Sequence, residues 1–183
     1  MAATTEIPLN LDLVIDFVNT VDPDVPSDSL ETVDGLADWL TERGLLDAGE
    51  TALTDSDRQE AIALREALRA VMLANNGEPP DPVAPGQLEL AAKRGELGVH
   101  FETGTAVELR PGVGGLPGAL ARLLVPVADG VRDGSWTRVK ACPGDGCQWA
   151  FYDHSRNRSA RWCEMAVCGN RTKVRAYRAR SAQ

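Results

Sequence analysis

The residues with most chemistry in this 183-residue chain are its four cysteines, all between Cys142 and Cys168. Four residues separate Cys142 from Cys147, fifteen separate Cys147 from Cys163, and four separate Cys163 from Cys168. Thiolate pairs this close let one tight loop present two sulfurs to a metal, and two pairs complete the tetrahedron that structural zinc prefers. Two disulfides are the competing reading. The opening Met1-Ala-Ala-Thr-Thr-Glu-Ile-Pro8 lacks the basic-then-apolar layout of a secretory signal, and no stretch is apolar for long enough to span a membrane. The expected compartment is therefore cytoplasmic, where disulfides are rare. The cysteines thus predict one structural Zn2+, with Cys142, Cys147, Cys163 and Cys168 as ligands and no open position for water or substrate. Pro143-Gly-Asp-Gly146 suits the first ligand loop, because glycine accepts unusual dihedrals and lets N–H groups approach sulfur. His154, between two complete pairs, reads as a solvent or phosphate contact.

So small a module cannot order itself by apolar burial, and the metal supplies the missing folding free energy, on the order of 10 kcal/mol or more. The spacing predicts a helix over Asn170 to Arg180, with Arg171, Arg175 and Arg178 on one face and Lys173, Tyr177 and Arg180 on a second. Like charges at such spacing repel within one protein and become favourable beside phosphates. Arg156, Arg158 and Arg161 enlarge this basic patch. The candidate nucleic-acid contacts are therefore Arg156, Arg158, Arg161, Arg171, Lys173, Arg175, Arg178 and Arg180, with Asn170 capping the helix or ordering the second knuckle. Trp149–Tyr152 and Ser159–Trp162 read as two short strands around an Asp153–Arg158 turn, their aromatics forming a small core. Knuckle, hairpin and helix together make a treble-clef-like finger.

The net charge of −8 divides sharply. From Trp136 onward ten Lys and Arg face three Asp and Glu, a balance of +7, which leaves −15 on the rest. An acidic body over 1–134 and a basic module over 135–183 follow.

In the body, Leu9–Val21 fits either a strand or a helix, since its apolar residues both alternate and recur every four. Asp16, Asn19 and Thr20 close that run as a polar group that either lines a ligand pocket or holds a turn by side-chain hydrogen bonds. Helices are expected from Val33 to Arg43, stopped by Gly44, from Thr54 to Gly77 with Thr54 and Asp57 as a capping box, and from Gln87 to Arg94. Val99–Thr103 and Thr105–Arg110 read as a β-hairpin with His100 on its outer face. Leu116, Leu120, Leu123, Leu124, Val127 and Val131 recur helically, with Pro126 expected to kink or split that helix. The fold class is α+β, a mainly helical body with a hairpin and a C-terminal four-cysteine finger.

Two patterns carry a family resemblance. Cys142-x4-Cys147-x-Trp-x-Phe-x-Asp-x-Ser155, followed by Arg161-Trp-Cys163-x-Met165-x-x-Cys168-Gly-Asn-Arg171, resembles the CGNR zinc finger, named for its Cys168-Gly-Asn-Arg171 tetrapeptide. Leu13-x-x-Asp16-Phe17-x-Asn19-Thr20, then Leu36-x-x-Trp39 before Gly44-Leu-Leu, resembles the ABATE domain that accompanies this finger in bacterial proteins described as stress-induced transcription regulators. The resemblance implies a bacterial DNA-binding regulator whose partner is double-stranded DNA, the acidic body serving as a sensor for a small-molecule effector or as a homodimerisation domain. RNA binding, and a zinc-stapled protein-interaction module, are the alternatives. An enzyme is not expected, because only two histidines, no nucleophile motif and no phosphate loop are present.

Overall fold

The computed structural model describes residues 10–22, 27–47, 52–101, 107–144 and 146–181, without the side chains of 175–177 and 179–181. The opening apolar run is a helix, α1 (Leu11–Val18), which buries Leu11, Val14, Ile15, Phe17 and Val18. Its fourfold recurrence wins over the alternation because one broad face meets the core. A short antiparallel pair, β1 (Val21–Asp22) and β2 (Ser27–Asp28), leads to α2 (Val33–Glu42), whose N-terminus is capped by the Thr32 hydroxyl accepting from Gly35 N at 3.0 Å. Gly44, at φ +64°, stops it as expected. The longest helix, α3 (Asp55–Asn75), starts at the reciprocal Thr54/Asp57 capping box.

Helix α4 (Ala84–Arg94) begins three residues earlier than its sequence suggests. Pro85 is tolerated in a first turn, where its missing N–H has no helical acceptor, and Asp81 Oδ1 accepts from Val83 N at 2.8 Å. The hairpin β3 (Gly98–Phe101) and β4 (Val107–Arg110) pairs Val99 with Leu109, His100 with Glu108 and Phe101 with Val107; its turn lies outside the described residues. The expected orientation of His100 is corrected here. His100 is half-buried, whereas Val99, Phe101 and Val107, on the opposite face, are exposed. Helix α5 (Gly115–Asp133) runs unbroken through Pro126, which is itself buried, so the expected split does not occur. Burial of Leu116, Leu120, Leu123 and Leu124 before it and Gly130 after it outweighs the roughly 3 kcal/mol that an interior proline costs. Val131 lies beyond this buried stripe and is exposed.

A 3-10 turn (Trp136–Arg138) then delivers β5 (Val139–Ala141), which pairs antiparallel with β6 (Ala150–Tyr152). This corrects the expected hairpin. Residues 149–152 do contain a strand, but its partner lies upstream, and 159–162 is irregular. The apolar core does not stop at Gly134. Trp136, Val139, Ala141, Ala150 and Tyr152 join the buried cluster built by α1, α2, α3 and α5. A π-helical turn (Met165–Gly169) opens into α6 (Asn170–Ser181). Among the described residues no helix is long and apolar enough to cross a membrane.

Candidate metal centre and basic face

The β5–β6 turn is the first knuckle. Cys142 N donates to Trp149 O and Cys147 N to Gly144 O, both at 2.9 Å, and Gly146 adopts φ +75°, the left-handed conformation its position requires. The second pair spans the π-helical turn. Cys168 N and Gly169 N both donate to Glu164 O, at 3.0 and 3.3 Å, which places Cys168 at the mouth of α6. A Cβ on Gly169 would stand 2.3 Å from Met165 Sδ and 3.2 Å from Trp162 Cδ1, so a larger residue there would have to displace both. Asn170 Nδ2 donates back to Ala166 O at 3.0 Å and ties the same turn.

These two turns bring the four Sγ atoms within 4.8 Å of one another. Cys147 Sγ lies 3.5 Å from Cys163 Sγ, which lies 3.7 Å from Cys168 Sγ. A tetrahedron with Zn–S bonds of about 2.3 Å has sulfur separations of about 3.8 Å, so the cluster is sized for one zinc ion. Without a cation the sulfurs cannot all be thiolates. Burial, with the Cys147 and Cys142 thiols outweighing an opposing bond to Cys163, pushes Cys168 up to about 11, and burial with the neighbouring thiols pushes Cys163 further. Burial also acts to raise Cys142, but N–H groups of Cys163 and Gly144 and the thiols of Cys163 and Cys168 outweigh it and lower that thiol. A divalent cation removes the conflict by stabilising every thiolate at once. Trp149, Phe151 and Trp162 pack against the cluster as the finger's local core.

Between the pairs, Asp153 and Ser155 hold the chain in place of a strand. Lys140 Nζ spends its three protons on Asp153 Oδ2, Arg158 O and Ala160 O, at 2.6, 2.8 and 2.9 Å. Asp153 Oδ1 accepts from Ser155 N at 2.9 Å and Oδ2 from Ala160 N at 3.1 Å, while Ser155 Oγ accepts from Ser159 N at 2.8 Å. Burial would raise the Asp153 carboxyl, but Lys140 and Ser155 hold it below the usual carboxylate range.

The body grips the knuckle through side chains whose long-range partners sequence reasoning missed. Arg69 Nη1 donates to Gln148 O at 2.8 Å, Nη2 to Val18 O at 2.6 Å and Nε to Glu66 Oε2 at 2.9 Å. Asn76 Nδ2 reaches Ala141 O and Arg161 O, at 2.8 and 2.7 Å, and Asn75 Nδ2 reaches Trp136 O and Val139 O, at 3.0 and 2.9 Å. Arg65 forks onto Asp28 at 2.7 and 2.9 Å, and this pairing, with Leu30 N, lowers the Asp28 carboxyl against the opposing pull of burial. A signal for the arginines did exist. Ala61, Arg65, Leu68 and Met72 share one stripe of α3, so a charge stands where the register calls for an apolar residue.

Of the three polar residues closing the first run, Asp16 is exposed on α1. Asn19 pairs with both backbone groups of Ala150, donating from Nδ2 at 2.9 Å and accepting at Oδ1 at 2.8 Å. Thr20 is buried, its hydroxyl donating to Phe17 O and accepting from Arg65 at 3.1 Å. Thr20 holds the turn after α1 through its local bond to Phe17, Asn19 ties that turn to β6, and Asp16 stands apart from both. Of the basic residues, Arg156, Arg158, Arg161, Arg171, Lys173 and Arg178 are exposed. Arg161 Nη2 donates to Glu78 at 2.8 Å, and Arg158 Nη1 to Thr137 Oγ1 at 3.2 Å. The side chains of Arg175 and Arg180 lie outside the described residues.

Comparison with known families agrees with this architecture. Residues 138–181 match the model of the CGNR zinc finger, and residues 11–133 match the ABATE model, described as "Putative stress-induced transcription regulator". No curated protein matches the chain. The ABATE match spans well over half of the sequence and the finger match most of the remainder, so the chain belongs to the ABATE family and carries a CGNR zinc finger able to bind one zinc ion.

Proposed function

We propose that this chain is a cytoplasmic bacterial transcription regulator that binds double-stranded DNA through the basic face of its finger. One observation carries the reading: the cysteine cluster holds the π-helical turn that leads into a helix on which Arg171, Lys173 and Arg178 stand exposed, and Arg156 and Arg158 are exposed on the 153–160 loop of the same finger. Arg175 and Arg180 stand at helical spacing from these in the sequence, and Arg161 would join the face by exchanging Glu78 for phosphate. Arginine at such a face contacts phosphates and can bind guanine edges bidentately. Duplex DNA is favoured over RNA because the basic side chains stand on a helix, an element that the major groove of B-form DNA admits and the deep, narrow major groove of A-form RNA does not. The matched families are regulators and zinc fingers rather than enzymes.

The body's proposed homodimerisation has its own support. Phe101 is 81% exposed and pairs across the hairpin with exposed Val107, beside exposed Val99, an apolar face on a two-stranded sheet. Sedimentation of the full chain and of Phe101→Ser tests this: a dimer that becomes a monomer supports it, and an unchanged state removes it.

For DNA binding, the affinity of the zinc-loaded full chain for a duplex is measured across a salt series. Roughly four phosphate contacts predict a log–log slope near about −3.6, and Arg171→Ala or Lys173→Ala should each make it shallower by about 0.9. A full chain that prefers single-stranded RNA in direct competition would overturn the assignment.

A further inference from the structure

The four zinc ligands are unequal toward solvent. Cys142, Cys147 and Cys168 are 0%, 5% and 4% exposed, and Cys142 Sγ is further covered by the N–H groups of Gly144 and Cys163. Cys163 is only half-buried. It lines an open cleft of about 270 Å³ at the metal centre together with Asp22, Trp149, Glu164, Val167 and the less exposed Cys147 and Cys168. That volume admits a small molecule of a few heavy atoms. The Glu164 carboxylate on this wall favours a neutral oxidant over an anionic one.

We propose that Cys163 is a modification site for neutral hydroperoxides, and that its oxidation opens the metal centre. The Cys163 thiolate, kept deprotonated by the metal, attacks the distal peroxide oxygen. An S–O bond forms, the O–O bond breaks, and the leaving alkoxide or hydroxide takes a proton from water, so that sulfur is oxidised and the peroxide reduced. The sulfenic acid then stands between two thiolates, Cys147 at 3.5 Å and Cys168 at 3.7 Å. Attack by either forms an S–S bond, breaks the S–O bond and releases hydroxide. Each turnover converts two thiolates and one hydroperoxide, with two protons from solvent, into one disulfide, one alcohol or water, and one further water. Zinc loses two of its four ligands.

The consequence falls on one half of the finger. The first knuckle stays anchored to the body by Arg69, Asn19 and Asn76. The Cys163–Cys168 turn and α6 depend far more on the metal, so oxidation loosens the segment that carries the basic helix. The chemistry at Cys163 does not rest on the DNA-binding reading.

The test uses the zinc-loaded full chain and hydrogen peroxide in substoichiometric portions. Zinc release is followed with a chromogenic chelator, and the first modified cysteines are mapped by peptide mass spectrometry with a sulfenic-acid trap. The expected result is one zinc released per peroxide consumed, with Cys163 trapped first or joined to Cys147 or Cys168 while Cys142 is recovered as a free thiol. A first adduct at another cysteine, a first disulfide containing Cys142, or zinc retained at a dose that fully oxidises N-acetylcysteine would overturn the proposal.

Discussion

At Asp153 a carboxylate with no exposed surface accepts from Lys140 Nζ, Ser155 N and Ala160 N, and this arrangement gives the Asp-x-Ser of the finger motif its physical meaning. Removing one member of such a pair strands a buried charge. Asp153→Ala should therefore cost about 3–5 kcal/mol in denaturant unfolding, and Ser155→Ala only about 1 kcal/mol. Asp28 offers a pH test. Its carboxyl is held below the ordinary value by Arg65 and Leu30 N, so it contributes stability that is complete above the unfolded pKa of about 3.9 and lost as pH falls through the lower folded value. Asp28→Asn should flatten the stability profile below about pH 4 relative to the parent chain, and an identical slope in both proteins would contradict this. The cysteines and the capping box were legible because their partners lie within a few residues. A charge out of register marks Arg65 as unusual, but the partners that lie 13 to 79 residues from Lys140, Arg65 and Arg69 leave no local pattern.

Helix positions followed from apolar periodicity, and the departures share one cause: tertiary burial overrides local punctuation. Pro126 sits inside α5 and Pro85 inside the first turn of α4, although both read as breaks. β6 pairs upstream with Val139–Ala141 and not with 159–162, where only Trp162 is a strong strand former; the sequence offers no local cue that the chain leaving the 3-10 turn returns to pair. Close packing of α4 on α5 gives a further test. A Cβ on Gly95 would lie 2.2 Å from Ala121 Cβ and 2.6 Å from Pro117 O, although Gly95 has an ordinary φ of −78°. Gly95→Ala should destabilise the fold by about 1–3 kcal/mol by wedging the helices apart. A neutral or stabilising effect in thermal unfolding would show that the helices can yield.

Over the whole molecule, charge and core divide the chain differently. The charge changes sign near residue 134, yet the buried cluster runs through it into β5 and β6, and Arg69, Asn75 and Asn76 fasten the first knuckle to α3. A fragment starting at Trp136 would expose Trp136, Val139, Ala141, Ala150 and Tyr152, so function belongs to the full chain. In this arrangement zinc bridges a knuckle rooted in the body to a turn that launches the basic helix. Chelation should then leave most of the helical far-UV signal intact while disordering residues beyond Cys163, as hydrogen exchange would report. The most direct test titrates one duplex with the full chain in zinc-loaded, chelator-stripped and zinc-restored forms at low salt. The account predicts binding that weakens at least about tenfold, a loss of about 1.4 kcal/mol, on stripping and returns on restoration. Equal affinity in all three forms, or no binding in the zinc-loaded form, would contradict it.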